Sequence, residues 1–282
     1  MSNTFSVVSV QNNSDTNSHG NAYIPFRSRI LEVLKHTEIE YTFRMSYDGP
    51  VLPGQFFEVS LPKFGEAPIS VSGIAPGSID LTIRKVGRVT GEIFESYAGQ
   101  SLMLRGPYGN GFDLNLYRGR ELLVVAGGTG LSPVRALVDH FAVHRDEVAD
   151  FSLITGFKST KDILFLQDIV RWSEKSNVIL TVDCADDDVF CNIGLVTEYI
   201  PKVRFRDPAN ASCIVVGPPM MMKFAVKSIQ DEHGIADENI WVSYERKMCC
   251  GIGKCGHCKM DDTYICLDGP VFNYSKAKTL KD

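Results

Sequence analysis

Between Arg27 and Arg105, apolar and polar residues change places at every second position, in short runs cut by Gly and Pro. Ile39-Glu40-Tyr41-Thr42-Phe43-Arg44-Met45 alternates strictly, and Phe56 to Leu61 and Ile79 to Arg84 are rich in β-formers. Such alternation sends successive side chains to opposite faces of a strand. No long helical period interrupts the region, so the pattern predicts an antiparallel barrel of about six strands.

Past Gly119 the period changes. Glu121 to Ala126 reads as a strand and runs into Gly127-Gly128-Thr129-Gly130-Leu131-Ser132-Pro133, after which Val134, Leu137, Val138 and Phe141 form one helix face. Ser132 is placed to cap that helix and Pro133 to open it. Further strands are expected at Phe151 to Thr155, Val178 to Asp183, Cys213 to Gly217 and Ile240 to Ser243, with a helix over Met220 to Glu232. Strand and helix in alternation build a parallel sheet with helices on both faces. The expected fold class is therefore β plus α/β: an antiparallel β-barrel at residues 23–117, a parallel-sheet α/β domain at 118–244 and a small C-terminal lobe at 245–282. Residues 1–22, rich in Ser and Asn, read as a polar, disordered arm.

Composition narrows the function classes. A net charge of −5 makes nucleic acid a poor partner. No run approaches the ~18 apolar residues of a membrane span, and the first twenty residues lack the basic start and apolar centre of a signal peptide. Eight cysteines in such a chain point to the cytoplasm, and to metal or redox use rather than disulfides. Cys184, Cys191 and Cys213 are scattered and read as structural.

The other five cysteines are concentrated. From Cys250 the spacing is C-x4-C-x2-C, through Cys255 and Cys258, and then C-x7-C to Cys266. That is the plant-type arrangement for a 2Fe-2S cluster. Gly251, Gly253 and Gly256 suit a loop that must wrap closely around a cluster. A Cys₄ zinc site is the alternative, although zinc ribbons show two short pairs separated by a longer loop. Cys249 reads as a neighbour of the set. His257 is a single histidine where a Rieske centre needs two. The turn at Gly127 to Pro133, between strand and helix, is of the kind that sets backbone N–H groups against a phosphate, and Gly217-Pro218-Pro219-Met220 repeats the geometry at the fourth strand. Neither turn carries the G-x-G-x-x-G fingerprint, so each signal is weak alone.

In sequence order, Pro53-Gly54-Gln55-Phe56, Ala67-Pro68-Ile69-Ser70-Val71-Ser72, Ile83 to Thr90, Gly106-Pro107-Tyr108-Gly109 and Gly127 to Pro133 resemble the ferredoxin–NADP reductase superfamily, from about Tyr23 onward. The terminal cysteine loop narrows the resemblance to the branch holding the electron-transfer subunits of dihydroorotate dehydrogenase and the gamma subunits of sulfhydrogenases. Within it, the run Pro53 to Ser72 is similar to the B subunits of anaerobic sulfite reductases.

The resemblance implies an FAD-binding barrel, an NAD(P)H-binding α/β domain and a cluster-binding lobe. It places Ser70 at the catalytic position beside the flavin N5, with Pro68, Ile69, Val71, Ile83, Arg84, Lys85, Gly87 and Thr90 around the flavin. Gly127, Gly128, Thr129, Gly130 and Pro133 would meet the nucleotide diphosphate, and Gly217 and Pro218 the nicotinamide. Ala67 stands where the superfamily has an Arg for the flavin pyrophosphate, a contact for which Arg84, Lys85 or the amides near Gly87 to Thr90 could substitute. The third strand runs into Asp183 and the acidic Asp186-Asp187-Asp188, which favours NADH over NADPH; Lys158 and Lys161 are the nearby cations.

The expected function is transfer of electrons from NADH, through FAD and the cluster held by Cys250, Cys255, Cys258 and Cys266, to a partner. By resemblance, the partners are a catalytic sirohaem-containing subunit and an iron–sulfur subunit that together reduce sulfite to sulfide. A dihydroorotate dehydrogenase or hydrogenase partner is the first alternative. A zinc-stapled nucleotide-binding regulator is the second.

Overall fold

The computed structural model describes residues 23–97, 100–184 and 191–281. The expected arm at residues 1–22 and the acidic run Asp186 to Asp188 lie outside the described residues.

Six strands close the first half into a barrel: β1 (Phe26–Lys35), β2 (Glu40–Ser46), β3 (Phe56–Leu61), β4 (Gly65–Ala75), β5 (Ser78–Arg84) and β6 (Ser101–Tyr108), in spatial order β1-β2-β5-β4-β3-β6. The alternation does what a period of two demands: Phe43, Met45, Ile79, Leu81 and Ile83 fill the interior with Phe57, Val59, Ile69 and Val71. β3 departs from the half-exposed pattern because Phe56 and Glu58, on its outer face, are buried as well. Something covers the barrel there. The nine-residue helix α1 (Arg88–Ser96), with Thr90 and Ile93 buried, corrects the expectation of an all-strand region. Nine residues with a central Gly91 are too few to raise a clear helical period, and packing decides the conformation.

The second half is built on β7 (Glu121–Gly127), α2 (Leu131–Val143), β8 (Asp150–Phe157), α3 (Leu166–Ser173), β9 (Asn177–Val182), the short β10 (Asn192–Ile193), β11 (Ala211–Val216), α4 (Pro219–His233) and β12 (Ile240–Ser243). The sheet order is β10-β9-β8-β7-β11-β12, all parallel, and β7 and β11 are buried along their whole length because helices cover both faces. Helices α2 and α3 enclose one core with Phe141, Phe151 and Trp172. Helix α4 encloses the other, through Met222, Ala225, Val226 and Ile229. The order reverses between β7 and β11, which is where an open α/β sheet leaves a crevice.

Ser132 is not the cap of α2. The N-cap is Gly130, and Ser132 is buried in the first turn with its hydroxyl lacking a partner among the described residues. Pro133, also in the first turn, still removes no helical hydrogen bond, since the first N–H groups of a helix have no internal acceptor.

The chain then forms β13 (Lys259–Met260), β14 (Thr263–Tyr264), the one-turn α5 (Ile265–Asp268), β15 (Val271–Asn273) and α6 (Tyr274–Ala277). β15 pairs antiparallel with β12 through Trp241↔Asn273, Val242↔Phe272 and Ser243↔Val271, so the large sheet is mixed at this edge rather than wholly parallel. Three residues arriving from a loop need no crossover helix. Phe272, Cys258, Cys266 and Met248 share one core with α4 and with Phe56 and Tyr108 of the barrel.

Barrel and sheet are also joined by buried charge. Arg135 of α2, 8% exposed, donates Nη1 to Asp80 Oδ2 of β5 at 3.1 Å and to the Ser72 carbonyl at 3.1 Å, and Nε to Asp168 Oδ2 of α3 at 2.7 Å. Its guanidinium lies 4.8 Å from the centre of the Phe165 ring, and Arg44 supplies Asp80 with a second cation at 2.9 Å. A Cβ on Gly73 would sit 2.7 Å from Arg135 Nη1, so glycine there makes the approach possible. His36, edge-on to Phe165 at 4.6 Å, borders this cluster; burial first, then Arg135, lowers its pKa to about 4, against weaker opposing effects of Asp168 and Asp80.

Because its folded pKa lies below the unfolded 6.5, His36 contributes stability that is present above pH 6.5 and lost as pH falls through about 4. His36→Gln should therefore flatten the acid limb of a thermal-unfolding pH profile between those values, by at most about 3 kcal/mol. Equal acid limbs in the two proteins would refute the assignment.

Candidate functional site

A cavity of about 800 Å³ opens at the carboxyl ends of β7, β8 and β9, at the point of strand reversal. Gly127, Gly128 and Thr129 form one wall, Pro218, Met220 and Met221 another, and Gly156, Phe157, Lys158, Asp183 and Leu195 extend it outward. Arg84 and Glu40 of the barrel close the remaining side. Gly130 lies beneath the turn: a Cβ there would be 2.6 Å from the Val216 carbonyl and 2.7 Å from Gly217 Cα. The two loops that cradle the cavity touch through this missing side chain. Gly217 has φ +158 and sits 3.2 Å, at its would-be Cβ, from the Gly127 amide. Pro133 is buried in α2 behind the turn.

The flavin positions divide by face. Ser70 and Pro68 are half-buried, whereas Ile69, Val71 and Ile83 point into the barrel and leave only main chain to a ligand. Ser70 pairs with Phe56, and Pro68 with Glu58, across β3 and β4. Lys85 is held by Glu95 at 2.7 Å and Arg84 by the buried Glu40 at 3.1 Å, so each expected substitute for the missing Arg at Ala67 already has a carboxylate. Gly87 is the N-cap of α1, and Thr90 Oγ1 accepts from the Val86 and Gly87 amides. This leaves the first-turn amides of α1, which have no acceptor within the helix, as the fitting phosphate donors.

The cysteine loop fits a dinuclear cluster. Four sulfurs come as two pairs, each tied by a backbone amide: Cys255 N–H donates to Cys250 Sγ, and Cys266 N–H to Cys258 Sγ. Among the described residues no three His, Cys, Asp or Glu side chains converge on one metal position, whereas two irons ask for two thiolates each. Backbone amides already point at the sulfurs: Gly253 to Cys266 at 3.2 Å, Lys254 to Cys250 at 3.4 Å, Cys255 to Cys250 at 3.5 Å and Cys266 to Cys258 at 3.5 Å. Gly251 and Gly253 have φ of +73 and +68, the turn this wrapping needs. The pairs differ in exposure, Cys258 and Cys266 being buried and Cys255 exposed beside Lys254 and His257. Burial pushes the Cys266 thiol up to about 12, while the hydrogen bond from the His257 backbone is the main influence holding Cys255 below its usual value. Cys249 is exposed, and no pairing joins it to the set.

The profile of the oxidoreductase NAD-binding domain family matches residues 124–227, and that of the iron–sulfur cluster binding domain of dihydroorotate dehydrogenase B matches residues 245–278. Over 271 residues the chain is 34% identical to the sulfhydrogenase 1 subunit gamma of Pyrococcus furiosus, covering 90% of this chain and 92% of that one. It is 33% identical over 260 residues to a probable dihydroorotate dehydrogenase B (NAD(+)) electron transfer subunit of Methanocaldococcus jannaschii, covering 92% and 93%. The chain belongs to this family of electron-transfer subunits. Among solved structures, the NADH-dependent reduced ferredoxin-NADP oxidoreductase superposes with a TM-score of 0.73 over 88% of each chain at 24% identity, and supports the fold. This family member is thus a subunit of an NAD-dependent oxidoreductase, with an NAD-binding domain at residues 124–227 and an iron–sulfur cluster binding domain at residues 245–278. Among the described residues no helix is long and apolar enough to cross a membrane.

Sequence reasoning missed two sets of residues. Met220 and Phe224 are exposed on α4, one turn apart, opposite the buried Met222, Ala225, Val226 and Ile229. A second apolar stripe on an otherwise amphipathic helix is the signal that could have found them. Glu58, Glu66 and Arg105 had no signal, because strands β3, β4 and β6 bring them together from distant positions. Glu58 is fully buried, neither of its carboxylate oxygens has a partner among the described residues, and burial pushes its pKa to about 7.

Gly130→Ala should force the two cradle loops apart. We expect about 1–3 kcal/mol of lost stability in thermal unfolding, together with at least roughly tenfold weaker NADH binding by calorimetry. Unchanged NADH affinity would show that the cradle does not hold the nucleotide.

Proposed function

We propose that this chain draws electrons from NADH at the cavity between barrel and sheet, passes them through FAD on the barrel to the 2Fe-2S cluster, and delivers them at the Cys255 edge to a catalytic partner that reduces sulfite to sulfide. The observation that carries the electron-transfer reading is the division of the four thiols into a buried pair, Cys258 and Cys266, and a more accessible pair in which Cys250 is half-buried and Cys255 exposed. One end of the cluster site is packed against the core shared with the barrel, and the other meets solvent, where a partner can dock. The run Pro53 to Ser72 supports sulfite as the final acceptor, with a sirohaem-containing subunit and an iron–sulfur subunit as partners. Family membership supports equally a hydrogenase or a dihydroorotate dehydrogenase as the partner.

When bound, the flavin converts a two-electron hydride donor into a one-electron source. The chain supplies placement. The Gly127 to Gly130 turn and the first turn of α2 would receive the dinucleotide diphosphate, with Pro218 bordering the nicotinamide. Ser70, on the outer face of β4, would orient the flavin ring, and the first turn of α1 would take the flavin phosphate that Ala67 cannot hold. Cys250, Cys255, Cys258 and Cys266 would ligate the irons, with the Gly253, Lys254, Cys255 and Cys266 amides stabilising charge on sulfur.

Cofactor preference follows from Asp183, exposed at the end of β9 on the cavity wall, where its carboxylate would repel a 2′-phosphate and accept from a ribose hydroxyl. Replacing it, Asp183→Ser, should raise the NADPH-to-NADH ratio of kcat/KM by roughly tenfold, the value of about 1.4 kcal/mol of charge repulsion. A ratio that does not move would remove Asp183 from the ribose site.

Cys255→Ser should spare NADH bleaching of the flavin in an anaerobic visible spectrum while abolishing cluster-dependent reduction of one-electron acceptors. If the unaltered protein holds zinc and no flavin after reconstitution, the electron-transfer reading fails. Copurification with a partner that reduces protons, or orotate to dihydroorotate, but not sulfite, would replace only the acceptor.

A further inference from the structure

Arg105 of β6 is 4% exposed and stands between β4, the strand assigned to the flavin, and the cysteine loop. Its Nε and Nη2 grip both oxygens of Glu66 on β4, at 2.8 and 2.5 Å. The far side of the same guanidinium donates Nη1 to the Cys250 carbonyl at 3.0 Å and Nη2 to the Cys249 carbonyl at 3.4 Å, with Tyr108 Oη also within 3.0 Å of Nη1. Glu66 is four residues before Ser70 on β4, and a period of two puts both on one face. Beside them the Tyr108 ring packs against Gly251, where a Cβ would lie only 2.6 Å from Cδ2.

One buried cation therefore links the strand assigned to the flavin with the backbone of the first cluster cysteine. We infer that Arg105 is a positioning residue that pins the Cys249–Cys250 backbone to the barrel and, through its charge, sets the reduction potential of the cluster. This rests on the reading of Cys250 to Cys266 as the seat of a 2Fe-2S cluster. Thiolate-bound clusters are anionic and gain a further negative charge on reduction, so a buried cation close to a ligand favours the reduced form; net charge and hydrogen bonding are among the determinants of cluster potential. Glu66 balances part of that cation. Removing Glu66 leaves the buried Arg105 charge uncompensated where screening is poor, and removing Arg105 leaves the more exposed Glu66 as an anion beside the loop.

The two charges predict shifts of opposite sign, which loss of packing alone does not. The experiment is an anaerobic redox titration followed by electron paramagnetic resonance, on the full chain carrying its cofactors, for the unaltered protein, Arg105→Gln, Arg105→Lys and Glu66→Gln. Arg105→Gln is expected to lower the cluster potential by an amount that changes the reduced-to-oxidised ratio at least tenfold, about 59 mV for a one-electron couple. Arg105→Lys, which keeps the charge, should restore most of it, and Glu66→Gln should raise the potential. Equal potentials in all four proteins overturn the inference, as does an equal fall in the Lys and Gln variants. If Arg105→Gln loses its cluster, Glu66→Gln decides: an upward shift supports the inference and an unshifted potential overturns it. Flavin bleaching by NADH, recorded on the same samples, separates this result from failure of the electron-transfer reading, which would abolish bleaching in the unaltered protein too.

Discussion

The pairing of Arg135 with Asp80 and Asp168 fixes how the two halves of this molecule face each other. The cavity is lined from both sides, by Gly127 to Thr129 and Pro218 on the sheet and by Arg84 and Glu40 on the barrel, so it exists only while barrel and sheet keep their angle. Apolar packing alone is non-directional. A guanidinium that must meet one carboxylate on β5, one on α3 and a carbonyl on β4 is not, and leaving any of these buried groups without its partner is costly. The same logic explains Gly73, the position where the backbone yields room for the cation.

A second charge junction, at Arg105, does for the cysteine loop what Arg135 does for the sheet. Each joins the barrel to a different part of the chain, and each sits where strand pairing in the barrel gathers residues remote in sequence. The C-terminal segment is further held by Asn110, which exchanges hydrogen bonds with Gly269, Asp268 and Val271, and by β15, which extends the large sheet. The cluster loop is thus fastened at both ends. Its exposed part is the Lys254 to His257 turn, and that is the part a partner would meet.

Glu58 stands apart from these satisfied networks. Buried beside Arg105, with no hydrogen-bond partner among the described residues, it is raised towards neutrality by burial more strongly than Arg105 lowers it. Arg105 cannot serve two carboxylates equally, and its planar fork is taken by Glu66.

Much of this protein was legible in its sequence, because the governing rules are local. A period of two made the barrel strands and a period of 3.6 made α2 and α4; the Gly127 to Gly130 turn follows from strand meeting helix, and the cysteine spacing limits how four sulfurs can meet two irons. Local rules also misled, at α1, whose nine residues depend on packing, and at Ser132, where a capping residue type sits past the N-cap Gly130, inside the first turn. What the sequence could not contain was the meeting of distant charges. Arg105, Glu66 and Cys250 span 39 and 145 residues of separation, and Arg135 reaches Asp80 across 55. Cross-strand register and domain packing set those contacts, so only the tertiary structure decided which charges would be buried and which of the four spaced cysteines would be left at the surface.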